Sequence, residues 1–237
     1  MDRLISRLDK ALNQQKTVTA IFDIDSTIFD VTPRNQDILN LFLHKHREHK
    51  PSHKLQPLEW GIERFLNKDW PDEFKKEAKK FWRRHFFAGT FLNSDRPYPG
   101  AIDFINILKN LGAEILYLTG RDTERMRGGS LNQLKYWKLP LEKDEHLFTK
   151  PHKGMHDGPY KALFIEKIIQ DRPENELFFF DNEPVVLDHC IFEEHKNYEA
   201  FFIDSTHSNR MKPKKDWSVI SVSDYHDIVS LIEAKLK

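Results

Sequence analysis

VTAIFDIDSTI, running from Val18 to Ile28, decides the fold. Val18, Ala20, Ile21 and Phe22 form a nearly unbroken apolar run, the pattern of a strand covered on both faces. The run ends in Asp23, Ile24 and Asp25, followed by Ser26 and Thr27. Two residues apart on an extended chain, Asp23 and Asp25 lie on the same side. Carboxylates at the end of a dry strand are costly unless something pairs with them, so the two together require a cation or a shared proton. A solvated, Asp-rich turn would carry the same letters, and the rest of the chain separates the two readings.

Further strands follow the same pattern. AEILYLTGR ends at Thr119-Gly120-Arg121, LFFFDN has no polar residue before Asp181, and AFFID ends at Asp204. His146 to Lys150 reads as a short, weak strand. Between them lie helical patterns. Residues 2 to 14 carry Leu4, Ile5, Leu8 and Leu12 on one stripe, and Ala101 to Leu111 is closed by Gly112. Thr123 to Trp137 reads as a helix interrupted at Gly128-Gly129. Lys161 to Gln170, Pro184 to Phe192 and a last helix capped by Ser223 complete the set. Strands alternating with helices imply an α/β fold, a Rossmann-like parallel sheet with helices on both faces. Such sheets gather their strand C-termini on one edge, where ligands bind. Asp23, Thr119 and Asp181 would line that crevice. Asp204 is read as structural.

Residues 33–97 break the alternation. Asn35 to His49, Leu58 to Leu66 and a segment opened by Pro71 all read as helical, and no convincing strand intervenes. The expectation is a helical insertion, 33–97, inside a core made of 1–32 and 98–237. Pro33 and Pro97 mark its hinges. The aromatic-basic stretch Phe81 to Phe87, with Trp60 as an alternative, is the expected substrate contact. His44, His46, His49 and His53 cluster without a Cys or acidic partner at ligand spacing, so they read as a solvated helix end rather than a metal site.

The charges balance, 37 Lys and Arg against 37 Asp and Glu, so net charge gives no argument for nucleic acid or membrane. No apolar run is long enough for a membrane span. Cys190 is the only cysteine, which leaves no intramolecular disulfide. The amphipathic, charged start lacks an apolar signal core, and a cytoplasmic location is expected.

Four motifs in order, FDIDST, LTGR, Lys161 within GPYKALFIEKI, and FFFDNEP around Asp181, resemble those of the haloacid dehalogenase-like (HAD) phosphatases over most of the chain. The resemblance implies a HAD-like core with a helical cap of the first type inserted after the first motif. It also implies Mg²⁺-dependent hydrolysis of a phosphomonoester, a small phosphorylated metabolite, through an aspartyl phosphate. Asp23 would be the nucleophile and Asp25 the acid and base. Thr119, Gly120 and Lys161 would hold phosphate oxygens. Asp23, the Asp25 backbone carbonyl and Asp181 would hold the metal. Arg121, Asn182 and Glu183 are further candidates. Asn182 stands where relatives carry a second Asp, so either it or Glu183 would complete the metal shell. Lys150 and Lys153 compete with Lys161, which is preferred because it heads an apolar helix one strand before Asp181. Dehalogenation is disfavoured because those relatives lack the second acid. A phosphorylated-domain ATPase is disfavoured because its motif carries Lys where this chain has Ile24. A phosphomutase, a nucleotide or polynucleotide phosphatase, and a catalytically silent HAD-like binding protein remain alternatives.

Overall fold

The computed structural model describes every residue except 47, 48, 52, 57, 58, 60, 208–216 and 237. Strand β1, Val18–Phe22, is buried at all of its positions. It lies between two parallel neighbours, β4 (Glu114–Asp122) and β6 (Glu176–Asp181). With β5 (Leu147–Lys150), β7 (Tyr198–Asp204) and β8 (Ser218–Ser221), these form a parallel sheet in the order β5-β4-β1-β6-β7-β8. Strand alternation divides the apolar residues between two cores. Ala20 and Phe22 join α1 (Asp2–Asn13), α4 (Ala101–Asn110) and α8 (Tyr225–Leu236) on one face. Ile21 joins α6 (Asp157–Asp171) and α7 (Pro184–His189) on the other. On the first face Phe22 stacks on Phe180 at 4.5 Å, and Phe104 meets both rings edge-on.

The helical insertion is observed with altered bounds. Helix α2 is Thr32–His44, earlier at both ends than expected. Pro33 suits a first helical turn, and the Asp30 carboxylate accepts the Thr32 N–H at 2.8 Å. Helix α3 is Asp72–Phe86, just after Pro71. No helix forms over the described residues 61–66, which make turns. Gly61 sits at φ 68°, a left-handed conformation that ends any regular helix. The Leu58 part of that expectation lies outside the described residues. Leu39, Phe42, Phe65, Trp70, Phe74 and Ala78 pack into a third apolar cluster, separate from the two sheet cores. His46 and His49 lie against Phe74, with His49 stacked at 3.8 Å, and His53 reaches Glu59 at 3.2 Å. These histidines therefore pack rather than solvate a helix end. Among the described residues, no group of three or more His, Cys, Asp or Glu could hold a metal ion. Two short strands, β2 (Phe29–Asp30) and β3 (Arg96–Pro97), pair antiparallel where the insertion leaves and rejoins the core.

Other departures have local causes. Helix α5, Thr123–Tyr136, runs unbroken through Gly128-Gly129. A Cβ on Gly129 would stand 3.2 Å from the Gly89 Cα and 2.9 Å from Leu92, so this glycine lets the 3₁₀ turn Gly89–Ser94 approach the helix. Helix α6 starts four residues before Lys161, with Pro159 in its first turn. Helix α7 stops at His189, short of Phe192. Ser221, not Ser223, provides the capping hydroxyl near the last helix. Strand β8 has no sequence signal because SVIS is a half-exposed edge strand with one buried residue. Among the described residues, no helix is long and apolar enough to cross a membrane. Gly129→Val should destabilise the fold by about 1–3 kcal/mol through overpacking. Urea unfolding measures this, and an unchanged midpoint would show that the 3₁₀ turn is not held against α5.

Candidate active site

The Asp23 N–H still belongs to the sheet, bonding the Phe180 carbonyl at 2.9 Å. The chain then turns tightly. The N–H groups of Ile28 and Phe29 both reach the Ile24 carbonyl, Ser26 takes a left-handed φ of 59°, and its N–H bonds the Phe29 carbonyl at 2.8 Å. The Tyr225 hydroxyl fixes the turn by donating to the Thr27 carbonyl at 2.7 Å. Because of this turn, Asp23 and Asp25 do not share one partner, as their spacing suggested. Each has its own set of cations.

Asp23 meets Lys161 and Asp181. The Lys161 ammonium stands 2.5 Å from Asp23 Oδ1 and 2.7 Å from Asp181 Oδ2, and all three side chains are buried. Asp181 Oδ1 also accepts the Glu183 N–H at 2.8 Å. Thr27 Oγ1 lies 3.5 Å from Asp23 Oδ2 and 3.4 Å from Asn182 Oδ1, while the Asn182 amide donates to the Thr206 carbonyl. Two carboxylates against one ammonium leave a surplus negative charge. Burial pushes Asp23 up to about 7, with Lys161 opposing and Asp181 and Asp25 adding to the rise. Burial also raises Asp181 against the pull of Lys161. Burial would lower Lys161, but the two carboxylates outweigh it and keep the ammonium protonated.

Asp25 meets Arg121 and Arg34. Arg121 Nε donates to Asp25 Oδ2 at 3.0 Å and Nη2 to Oδ1 at 2.7 Å. Arg34 Nη2 also donates to Oδ1. Burial would raise Asp25, but Arg121 and Arg34 outweigh it and hold its carboxyl well below the usual carboxylate range. Arg34 grips buried Asp95 through Nε and Nη2 at 2.8 and 2.7 Å. Arg121 is steadied by Ser130 and Gln133 of α5 at 2.9 and 2.8 Å. Arg34, Asp95 and Gln133 carry no signal in the sequence. An arginine and a glutamine within helices read as solvated, and Asp95 lies 61 residues from the arginine it pairs with.

Thr119 and Gly120 lie toward the end of β4, beside these groups. A Cβ on Gly120 would stand 2.5 Å from Asp157 Oδ2, so a larger residue would require the Asp157 carboxylate to move. Lys150 is paired with Asp157 at 2.6 Å and with the Met155 carbonyl at 3.0 Å, whereas Lys161 is the lysine on Asp23. Lys153 is exposed. Arg121 serves Asp25 rather than an open phosphate position. Asp204 is exposed at the end of β7, away from the cluster. Asp23, Asp25, Thr119, Gly120, Lys161, Asp181, Asn182 and Glu183 line one cleft of about 720 Å³. Trp82, Phe86 and Phe87 line it too, from α3 and the residue after it. The Trp82 indole N–H is fixed on Asn35 Oδ1 at 2.7 Å. Arg84 is exposed and Trp60 lies outside the described residues. A smaller cavity of about 270 Å³, lined by Arg7, Cys190 and Tyr198, contains none of these acids.

A parallel α/β sheet with acids gathered at the C-terminal edge of its central strands defines the class, and comparison with known proteins gives the family. The model of the haloacid dehalogenase-like hydrolases matches residues 17–173. The chain belongs to that family and is a hydrolase. The match ends before Asp181, whose place in the site rests on its geometry. A Bacillus cereus protein described as "Putative nucleotidase" is 26% identical over 178 residues, covering 72% of this chain and 79% of that protein. An Oceanobacillus iheyensis protein with the same description is 27% identical over 212 residues, covering 88% and 95%. The solved structure of a haloacid dehalogenase-like family hydrolase from Streptococcus pneumoniae has a TM-score of 0.52 at 15% identity, covering 89% of this chain and 98% of that one, and so shares the fold.

The charge surplus has a measurable sign. The folded-state value of Asp23, about 7, lies above its ordinary 3.8. Its contribution to stability is therefore complete below the unfolded value and is lost as pH rises through the folded one. In EDTA, the unmodified chain should lose unfolding free energy relative to Asp23→Asn between about pH 4 and pH 7, by at most about 1.4 kcal/mol per pH unit. Parallel curves in chemical denaturation would show that Asp23 carries no such burden.

Proposed function

We propose that the chain hydrolyses phosphate monoesters with Mg²⁺, using Asp23 as the nucleophile. The observation that carries this reading is the buried Asp23–Lys161–Asp181 cluster at the floor of the cleft. Its surplus negative charge and carboxylate oxygens suit a hard divalent cation. Asp23, Asp181 and the Asp25 carbonyl would hold Mg²⁺, with Asn182 reaching it through water. Once bound, the ion offsets the repulsion between the Asp23 carboxylate and a phosphate dianion. Lys161, the Thr119 hydroxyl and the backbone at Gly120 orient the phosphoryl oxygens.

An Asp23 oxygen attacks phosphorus, the ester P–O bond breaks, and the leaving oxygen takes a proton from Asp25. Water then attacks the aspartyl phosphate, giving one proton to Asp25. The P–O bond to Asp23 breaks, and inorganic phosphate leaves. Asp25 Oδ1 accepts from both Arg34 and Arg121, and Oδ2 from Arg121 Nε alone, so Oδ2 would carry the proton, giving up that single bond while Arg34 stays on Oδ1. Residues 33–97 act as a cap in this reading. They have their own apolar cluster, and Trp82, Phe86 and Phe87 roof the cleft, keeping bulk water from the reacting phosphorus.

A second reading narrows the substrate to a nucleoside monophosphate. Three aromatic rings face the cleft beside the acids, and two relatives carry the nucleotidase description. A base stacked on such rings contributes about 1–3 kcal/mol.

Three variants test these readings. Folded Asp23→Asn should lose at least ~10³-fold in kcat, as removal of a covalent nucleophile does; near-normal turnover would end the mechanism, and release of phosphate to water by the unmodified chain separates it from a mutase or a silent binder. Asp181→Asn should raise the Mg²⁺ concentration for half-maximal activity, whereas a residue serving only as a helix cap would tolerate Asn. Trp82→Ala should raise KM for a nucleoside monophosphate by about 5- to 100-fold, following the stacking energy, with a smaller effect on glycerol phosphate. Equal effects on both esters would remove the nucleotide reading.

A further inference from the structure

Arg34 performs no step in the reaction above, yet its side chain is wholly buried at the centre of the molecule's charge network. It sits in the first turn of α2, and its guanidinium faces three ways. Within the insertion it grips both oxygens of buried Asp95 at 2.8 and 2.7 Å. Toward the site it donates to Asp25 Oδ1. Toward the cleft roof it lies over the Phe86 ring, 4.4 Å from its centroid, and donates to the Phe86 carbonyl at 3.4 Å. Phe86 is itself part of the cleft lining.

The second arginine on Asp25 differs in its support. Arg121 lies near the end of β4 and is held by Ser130 and Gln133 of α5. Arg34 is held by Asp95, which Gln133 also binds, and only Arg34 packs on the ring of α3. Asp25 is thus held by two anchored guanidinium groups, one of which also touches the aromatic wall. Guanidinium geometry makes this exacting, because a planar fork fixes direction as well as distance.

We propose that Arg34 is a positioning residue that holds Asp25 in register for proton transfer and couples that register to Phe86, and so to the group occupying the cleft. The proposal rests on the phosphatase reading. A cleft filled against Phe86 keeps the ring, the guanidinium and Asp25 aligned. An empty or poorly filled one removes the backing of the Phe86 ring, so the Asp25 end of the guanidinium is less constrained while Asp95 keeps hold of the other. A substrate would then be discriminated by how well its leaving oxygen is protonated, in addition to how tightly it binds.

Phenyl phosphate and p-nitrophenyl phosphate test this, since they match in shape and differ in how much the leaving oxygen needs a proton. With Mg²⁺ present, Arg34→Lys should lower kcat/KM for phenyl phosphate by about 10²-fold, the usual result of misplacing a reacting group. The p-nitrophenyl ester should fall by a clearly smaller factor. Phe86→Leu, which leaves every ion pair in place, should shift the ratio of the two esters in the same direction by less. Leu8→Ala, which opens the sheet core under α1 away from the cleft, serves as a variant that weakens packing alone, and it should leave the ratio unchanged. If Arg34→Lys does not fold, Phe86→Leu decides. An equal loss on both esters in the folded variants, or a change confined to KM, would overturn the role of Arg34. Unmodified protein that turns over neither ester, or turnover that survives Asp23→Asn, would instead overturn the phosphatase reading and this proposal with it.

Discussion

One ammonium shared by two buried carboxylates governs the layout of this protein. Lys161 bridges Asp23 and Asp181 with contacts of 2.5 and 2.7 Å, at a depth where an unpaired charge would cost several kcal/mol. The contact exists only if α6 starts close to the C-terminal ends of β1 and β6. That requires the Asp157–Pro159 turn to lie against β4, and Gly120 leaves room for the Asp157 carboxylate there. Gly158 does the same on the other side, where a Cβ would meet the His189 ring at 2.3 Å. At both glycines the space is taken by a neighbouring side chain, Asp157 in one case and His189 in the other.

The turn after Asp23 divides the acids into two electrostatic environments. Asp25 and Asp95 face Arg34 and Arg121, so charge balances within that group. Asp23 and Asp181 face Lys161 alone, and that group retains a negative charge. A balanced network rigidifies its surroundings, and an unbalanced one attracts what is missing. The same turn therefore separates a balanced group from an unbalanced one, although the two aspartates stand only two residues apart.

Sequence showed the central architecture because the strands that matter are dry on both faces. β1, β4, β6 and β7 announce themselves as apolar runs, and their terminal polar residues point directly to the crevice. Asp23 and Asp181 are legible for that reason, whereas Lys161 is singled out because it heads an apolar helix one strand before Asp181. β8 is not legible, since an edge strand of two serines, a valine and an isoleucine has no run to read. Gly128-Gly129 looked like a break because a glycine pair weakens an isolated helix; the close approach of the 3₁₀ turn, which the pair permits, is a tertiary fact. Gly61 was the reverse, a visible stop signal overlooked in an apolar stretch. Arg34 and Asp95 form the contact least accessible to sequence, because one lies on a helix, the other in the extended chain after a 3₁₀ turn 61 residues on, and only the folded chain brings them together.

The way the helical segment is attached follows from the same distribution of forces. Its apolar cluster is separate from both sheet cores, and its backbone connection is a ladder of two residue pairs, Phe29 with Pro97 and Asp30 with Arg96. Hydrophobic burial, which is insensitive to direction, therefore stabilises the segment internally. Its junction with the core includes polar contacts: Arg34 on Asp25, and Gln133 on Asp95 and the Leu92 carbonyl at 2.8 and 2.6 Å. Hydrogen bonds of this kind tolerate little displacement, and a buried network left half satisfied is worse than none. The junction consequently favours one arrangement of the segment sharply over its neighbours, and it does so through side chains that touch Asp25. Where the helices sit and where Asp25 sits are thus fixed by the same bonds.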